Sequence, residues 1–290
     1  MGNRISCKRV LAFAFTLVMA VAFMPVLGAG KADAAKPKGK LVKTVTVYKY
    51  NDEKGKYELD SKQSFAYNKK KDPTVINTVS YVEGGKYKSK TVNIFKYKKG
   101  IRKSRTIKIS DDEKGTVRKW SYNKRGLPTE YTMREAGDDI LKAVHKRLTY
   151  TKSGYVKTYK GKYEYEDVSD VEERKYATVA SKGLPKKITE SVRYDGDIKW
   201  KKVAAYSFNK KGLLKKDKTL NNDYYVDYSY KMKNGLVTHC VAKLYFEGKK
   251  VSQKKVTFTY TKKAIKKKRY AMMINSFTDD ELDSYAFSWY

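Results

Sequence analysis

One short pattern returns along this chain and limits what it can fold into: an aromatic residue, a polar stretch of Asn, Thr and Lys, and then Gly. It occurs as Tyr50-Asn51-Asp52-Glu53-Lys54-Gly55, Tyr97-Lys98-Lys99-Gly100, Tyr122-Asn123-Lys124-Arg125-Gly126 and Tyr150-Thr151-Lys152-Ser153-Gly154. It returns as Phe208-Asn209-Lys210-Lys211-Gly212 and Tyr230-Lys231-Met232-Lys233-Asn234-Gly235, with a degenerate copy ending at Gly183. Tyr67 to Lys71 and Tyr260 to Ala264 follow the pattern with Lys and Ala in the glycine position. Asn suits the first position of a tight turn because its side chain accepts hydrogen bonds from backbone two residues on, and Gly supplies the positive φ that closes a short hairpin. The aromatic ends a strand.

From position 71 onward these turns recur every 23 to 29 residues. Midway between them lies a second set: Glu83-Gly84-Gly85, Asp111 to Gly115, Ala136 to Asp139, Val168 to Asp170, Asp195-Gly196-Asp197, Asn221 to Asp223 and Glu247-Gly248-Lys249. Each repeat is therefore two strands and two turns. The strands alternate. Tyr224, Val226, Tyr228 and Tyr230 oppose Tyr225, Asp227 and Ser229, while Val256, Phe258 and Tyr260 oppose Lys255, Thr257 and Thr259. The same alternation sets Trp200, Lys202, Ala204, Tyr206 and Phe208 against Lys201, Val203, Ala205 and Ser207. One face is apolar and one polar, as in a sheet buried on one side.

The fold class is all-β: tandem antiparallel β-hairpin repeats forming one large curled sheet of about 16 strands, a meander that is barrel-like or superhelical. Thr278-Asp279-Asp280-Glu281 reads as a capping box opening a short C-terminal helix. The expected divisions are a signal peptide at 1–34, a short basic linker at 35–42, the repeat domain at 43–275 and a C-terminal cap or tail at 276–290.

The leader rests on Arg4, Lys8 and Arg9, an apolar run from Val10 to Leu27, and the small-residue site Ala32-Asp33-Ala34. It predicts a secreted or cell-surface protein, with no retained membrane anchor. Cys7 precedes the apolar run, which argues against lipidation. Only Cys240 remains beyond the leader, and one cysteine closes no loop, so stability must come from sheet and packing. The net charge is +34, spread along the whole chain. In an exported protein that balance predicts salt-sensitive attraction to anionic polymers such as teichoic acid, acidic polysaccharide or extracellular DNA.

The motif resembles the YD repeats of the RHS type, whose units wind a long β-sheet. Tyr122-Asn123-Lys124-Arg125-Gly126-Leu127 and Phe208-Asn209-Lys210-Lys211-Gly212-Leu213 carry the resemblance most closely. Asn stands for the family's Asp, Arg after Gly is missing, and the period is longer. The resemblance implies a sheet-forming array; the toxin domain that such proteins carry has no counterpart here.

Residues that bear chemistry are sparse. His145 reads as a polar-face strand residue. His239 and Cys240 are adjacent on a strand, so they point to opposite faces and form no dyad. Acids cluster at turns, where turn chemistry accounts for them. No P-loop, dinucleotide fingerprint or zinc spacing occurs, and no cofactor or metal is expected. The leading expectation is a non-enzymatic β-repeat protein that binds an anionic wall or extracellular polymer, with Lys201, Lys255, Trp120 and Trp200 as candidate contacts. Two alternatives stand beside it: an outer-membrane-type β-barrel, and a secreted polysaccharide hydrolase using turn carboxylates.

Overall fold

The computed structural model describes residues 39–82, 86–99, 101–109, 117–134, 141–152, 154–165, 169–181, 184–220 and 223–278. The leader lies outside them, as do Gly100 and Gly183. The first eight strands are β1 (Gly39–Asn51), β2 (Lys56–Tyr67), β3 (Pro73–Tyr81), β4 (Tyr87–Lys98), β5 (Ile101–Ile109), β6 (Val117–Tyr122), β7 (Pro128–Arg134) and β8 (Leu141–Tyr150). The second eight are β9 (Val156–Tyr165), β10 (Ser169–Ser181), β11 (Leu184–Tyr194), β12 (Lys201–Phe208), β13 (Leu214–Thr219), β14 (Tyr224–Lys233), β15 (Leu236–Phe246) and β16 (Lys249–Ile265). One helix among the described residues, α1 (Lys267–Thr278), follows.

All sixteen strands belong to one antiparallel sheet ordered β5-β4-β3-β2-β1-β16-β15 and so on down to β6. The first strand pairs with the last, Val45 opposite Phe258 and Val47 opposite Val256. That pairing curls the meander into a nearly closed barrel. The one join without a backbone ladder among the described residues lies between β5 and β6, which are neighbours in sequence and edges in the sheet. Side chains bridge this seam: the Arg102 guanidinium lies 5.7 Å from the Tyr122 ring and that of Arg105 lies 4.7 Å from the Trp120 ring. Arg102 is only 1% exposed, lies over Phe95 as well, and donates to the Tyr97 hydroxyl at 3.1 Å. Stacking on ring faces lets a cation stay in so dry a place.

The inner face is a packed core. Leu41, Val45, Ile76, Tyr159, Ile188, Tyr206, Leu214, Cys240 and Val256 from around the ring join one buried cluster with Tyr270, Ile274 and Phe277 of α1. The alternation placing Tyr228, Tyr230, Val256 and Phe258 inward agrees with their pairing: Tyr230 opposes the wholly buried Cys240, which opposes Val256.

Four expectations need correction. The strand array begins at Gly39, so the basic linker does not extend to 42; Leu41 and Val42 are wholly buried, and the exposed Lys40 and Lys43 beside them disguised a strand. The expected short C-terminal helix is present but runs Lys267–Thr278, beginning inside the stretch assigned to the repeats; Asp279, Asp280 and Glu281 of the expected capping box lie outside the described residues. Tyr270, Met273, Ile274 and Phe277 make the i, i+3, i+4, i+7 stripe that the basic run from Lys266 to Arg269 obscured. In β12 a bulge at Val203 shifts the phase: Ala204 pairs with Glu190, but Lys202 with Ser191. Trp200 thereby joins the outer face while Ala204, Tyr206 and Phe208 keep the inner one. Finally, the turn ending at Gly55 belongs to the second set, because β1 starts at the end of the barrel where the turns after Tyr67 and Tyr260 lie. This explains why spacing became regular only after position 71.

Candidate functional site

The recurring motif builds one end of the barrel. At Asn209 the backbone N–H donates to the Leu213 carbonyl at 2.9 Å, and the side-chain oxygen accepts from the N–H groups of Lys211 at 2.8 Å and Leu213 at 3.2 Å. Asn123 repeats this with Arg125 and Leu127, and Thr151 uses its hydroxyl on the Tyr155 N–H. Gly126 and Gly212 take φ of +74° and +75°, the left-handed conformation the turn demands. Gly55, Gly154 and Gly235 also have positive φ, and Lys71 adopts φ 71° in the missing glycine's place.

The motif tyrosines do more than end strands. Tyr67 donates to the Val42 carbonyl at 2.8 Å, Tyr97 to Pro73 at 2.7 Å, Tyr150 to Pro128 at 2.5 Å and Tyr260 to Val237 at 2.6 Å. The Tyr97, Tyr150 and Tyr260 hydroxyls each reach the carbonyl that follows another tight turn of the same end, and Tyr67 reaches the first strand, β1. Burial pushes the Tyr67 and Tyr260 hydroxyls well above their ordinary range, so they remain donors.

Helix α1 covers this end. Its Asn275 is pinned to the β12–β13 turn, donating to the Gly212 carbonyl and accepting from the Leu214 N–H, both at 2.8 Å. Arg269 donates to the Lys71 carbonyl at 2.6 Å and pairs with Asp72 at 3.4 Å. Burial pushes the Asp72 carboxyl up and Arg269 holds it back. The Tyr270 hydroxyl accepts from the Val237 N–H at 2.6 Å. A groove of about 740 Å³ opens beside the helix, lined in part by Lys40, Lys211, Lys233, Lys267, Met232 and Tyr270.

The outer wall is polar. Thr44 and Thr259 share a hydroxyl hydrogen bond across β1 and β16, as Thr149 and Thr158 do across β8 and β9. On β7 to β11 the outward charges are matched: Lys160 with Glu173 at 3.0 Å, Lys162 with Glu164 at 2.9 Å, Arg193 with Glu173, and His145 with Glu130 at 2.6 Å. The His145 contact holds the Glu130 carboxyl below its usual range. On β13 to β16, β1 and β2 several lysines lie over tyrosine rings, and two of these also pair with acids, Lys216 with Asp227 at 3.5 Å and Lys250 with Asp52 at 3.9 Å. Lys255 is 4.9 Å from Tyr48 and 4.5 Å from Tyr57, Lys250 is 5.1 Å from Tyr50, and Lys216 is 3.8 Å from Tyr225.

The expected contact residues thus separate. Lys255 and Trp200 are on the outer wall, Trp200 under Lys175 at 3.9 Å and Arg193 at 5.1 Å. Lys201 is exposed near the rim and pairs with Asp197 at 3.3 Å. Trp120 is on the inner face beside the seam, tilted against Tyr131 at 5.0 Å, and is unavailable to a polymer outside. The tyrosines of the lysine-rich half were missed as candidates, although the alternation already placed Tyr225 on the polar face.

Inside the barrel, Arg174 bridges Glu172 and Glu190, and Tyr206 donates to Glu190 at 2.9 Å. These acids are held by a cation within the core. Of the turn acids behind the hydrolase reading, Asp111, Asp112, Glu113, Asp138, Asp139 and Asp279 to Asp283 lie outside the described residues, while Glu164 and Glu173 pair with Lys162 and Lys160 on the outer wall. Among the described residues no three of His, Cys, Asp and Glu group closely enough to hold a metal ion. No described helix is long and apolar enough to cross a membrane, which leaves strand-built crossings open.

No protein-family model matches the sequence, and no curated protein matches it either. The YD/RHS resemblance therefore gains no support from sequence comparison. Among solved structures, the chain is similar to a porin-like protein from Bacteroides uniformis, at 13% identity over 76% of this chain and 96% of that one, with a TM-score of 0.54. A porin-like protein from Bacteroides vulgatus matches at 10% identity over 77% of this chain and 100% of that one; its TM-score of 0.31 is too low to carry weight. At such identities the first likeness speaks to fold alone: a nearly closed, sixteen-stranded antiparallel barrel.

Proposed function

We propose that this chain is an exported, surface-associated barrel whose water-facing wall holds an anionic polymer, acting as a binding protein rather than an enzyme. The observation that carries the reading is the chemistry of the outer wall. Its cross-strand rows hold Thr46, Lys62, Lys90, Lys218, Lys243 and Lys255, while aromatic and aliphatic residues fill the interior. A wall of this kind is stable in water, and its lysines give a polyanion many weak, salt-screened contacts. The experiment is retention of purified protein on immobilised polyanions across a salt gradient. Retention that falls steadily with salt is expected; passage of the protein unretained at low salt overturns the reading.

A second reading, an outer-membrane-type barrel, draws support from the porin-like likeness, which carries no information about polymer binding. Strand number, antiparallel order and the β1–β16 join all suit it. It requires outward lysines such as Lys62 and Lys255 to face lipid, at about 2–4 kcal/mol each near the midplane. We therefore place it second. Release of the protein from cells without detergent would remove it; a strict need for detergent would remove the first reading.

A further inference from the structure

We infer that the polymer track is one row of side chains crossing six adjacent strands, and that its ligand is a linear phosphodiester polymer of polyol units. This rests on the polyanion-binding reading above. The row is read from the register: Lys218 of β13 opposes Tyr225 of β14, Tyr225 opposes Tyr245 of β15, and Tyr245 opposes Lys250 of β16. The Lys250 ammonium lies over Tyr50 of β1, and Tyr50 opposes Tyr57 of β2. Lys243 and Lys255 flank the row nearer the middle of the strands. At a strand spacing of about 4.8 Å the six strands make a track roughly 24 Å long, running across the strands on the outer wall.

Ring geometry decides the ligand class. Tyr225 and Tyr245 stack on each other at 4.8 Å with planes 10° apart, and Tyr50 and Tyr57 meet edge to face at 5.2 Å. Lysine ammoniums cover further faces of Tyr225, Tyr50 and Tyr57. Faces so occupied are poor platforms for nucleobases, which single-strand binders need in order to stack successive bases. What the row offers outward is a line of ammoniums and phenolic groups. The cations along it are all lysines; the forked guanidinium that matches a planar carboxylate is absent from the described strands β13 to β16, β1 and β2. Lysine binds phosphate as a point charge. Lys218, Lys243 and Lys255 have no carboxylate within ion-pair distance among the described residues, while Lys250 has Asp52 at 3.9 Å, so a phosphate has three of the four ammoniums without competition from a bridge.

The test compares two variants of equal charge change in the full chain. One carries Lys218→Gln, Lys243→Gln, Lys250→Gln and Lys255→Gln. The other carries Lys96→Gln, Lys103→Gln, Lys119→Gln and Lys187→Gln, all exposed and on β4, β5, β6 and β11. Binding is measured to polyglycerol phosphate, oligothymidylate and polygalacturonate, with a thermal melt to confirm each variant folds. The row variant should lose about tenfold or more in affinity for polyglycerol phosphate and show a shallower salt slope, the other variant about twofold. Equal losses overturn the row while leaving polyanion binding in place. Tighter binding of polygalacturonate than of polyglycerol phosphate overturns the phosphodiester assignment, and tighter binding of oligothymidylate overturns the polyol unit. No binding of any polymer by the unaltered protein overturns both this inference and the reading beneath it.

Discussion

The two ends of this barrel are built from the same strands and solve different problems. At the end made by the recurring motif, Asn68, Asn123, Thr151, Asn209 and Thr261 close their own turns, hydroxyls of Tyr67, Tyr97, Tyr150 and Tyr260 tie neighbouring strands together, and α1 lies across with Tyr270 to Thr278 buried. At the other end Asn51 likewise accepts from the Lys54 N–H at 3.0 Å, and the described turns are acidic as well as basic. At 52–55, 195–199 and 247–248 they carry Asp, Glu and Lys to the surface, and the tyrosines beside them turn outward under lysines. Tyrosine thus serves two roles by position alone: facing in, its hydroxyl fastens backbone; facing out, its ring fixes a cation. One end holds the molecule together, which leaves the other free to present charge.

The strongest way to break that contrast is to attack α1. Phe277 packs against Phe65 at 5.2 Å and Phe258 at 6.4 Å. Phe277→Ala should cost about 3–5 kcal/mol, read as a lower urea midpoint, since it leaves a cavity where helix and sheet meet. Tyr245→Ala, on the outer wall, should cost less than half as much. If the two lose equal stability, the division of labour between the ends is wrong.

Next in size is the buried ion group midway between the ends. Arg174 faces Glu172 and Glu190, and the Glu190 carboxylate is almost fully buried. Arg174→Met should destabilise by about 3–5 kcal/mol because it strands two carboxylates without their cation. Adding Glu172→Gln and Glu190→Gln should restore much of that loss. A single variant as stable as the parent would show that water reaches these groups and that the core is open there.

Much of this was legible in the sequence, and what was not has identifiable causes. Alternation placed Tyr228, Tyr230, Val256 and Phe258 inward because a regular strand has period two. It failed at Trp200 because the bulge at Val203 adds one residue and reverses the phase, and nothing in Lys-Lys-Val-Ala announces a bulge. Trp120 was misread for another reason: it pairs with the buried Tyr131 across β6 and β7, a register that neither strand's own sequence announces. The tyrosine ties were invisible because each joins residues 22 to 25 apart in different hairpins. The outer row depends on register across six strands, and one sequence specifies register only through turn lengths. Lys255 lies on the outward face, opposite Val256 and Phe258, where the alternation put it.

A smaller effect sharpens the role of the ties. Tyr67→Phe removes only the hydroxyl that reaches the Val42 carbonyl, and should cost about 0.5–1.5 kcal/mol. Tyr225→Phe, whose ring lies beneath Lys216 on the outer wall, should cost less than about 0.5 kcal/mol. The pair is measured by urea titration at neutral pH. Matching values would mean that the hydroxyls of the sealed end contribute no more than those in water.

The smallest predicted effect concerns pH and a lysine that belongs to neither end. Lys146 points inward among the rings of Tyr131, Tyr159 and Tyr163, at 6.0, 5.9 and 5.6 Å. Burial lowers its pKa from 10.5 to about 8, with Glu172 opposing the change and Arg174 adding to it. Between those two values the unfolded chain keeps a proton that the folded barrel has released, so stability rises with pH there. Buried tyrosines act in the opposite sense: burial lifts Tyr67, Tyr155 and Tyr260 above 10.0, and their ionisation in the unfolded chain costs stability only beyond that point. In a window from pH about 8 to about 9, before the unfolded chain's tyrosines ionise, the rise comes from Lys146 together with Lys268, whose pKa burial also lowers. Urea midpoints taken across it should climb in the parent and climb less in Lys146→Met. A flat parent would mean that the amine reaches water and that the interior at mid-barrel is wetter than at the sealed end, which would confine the dry core to the neighbourhood of α1.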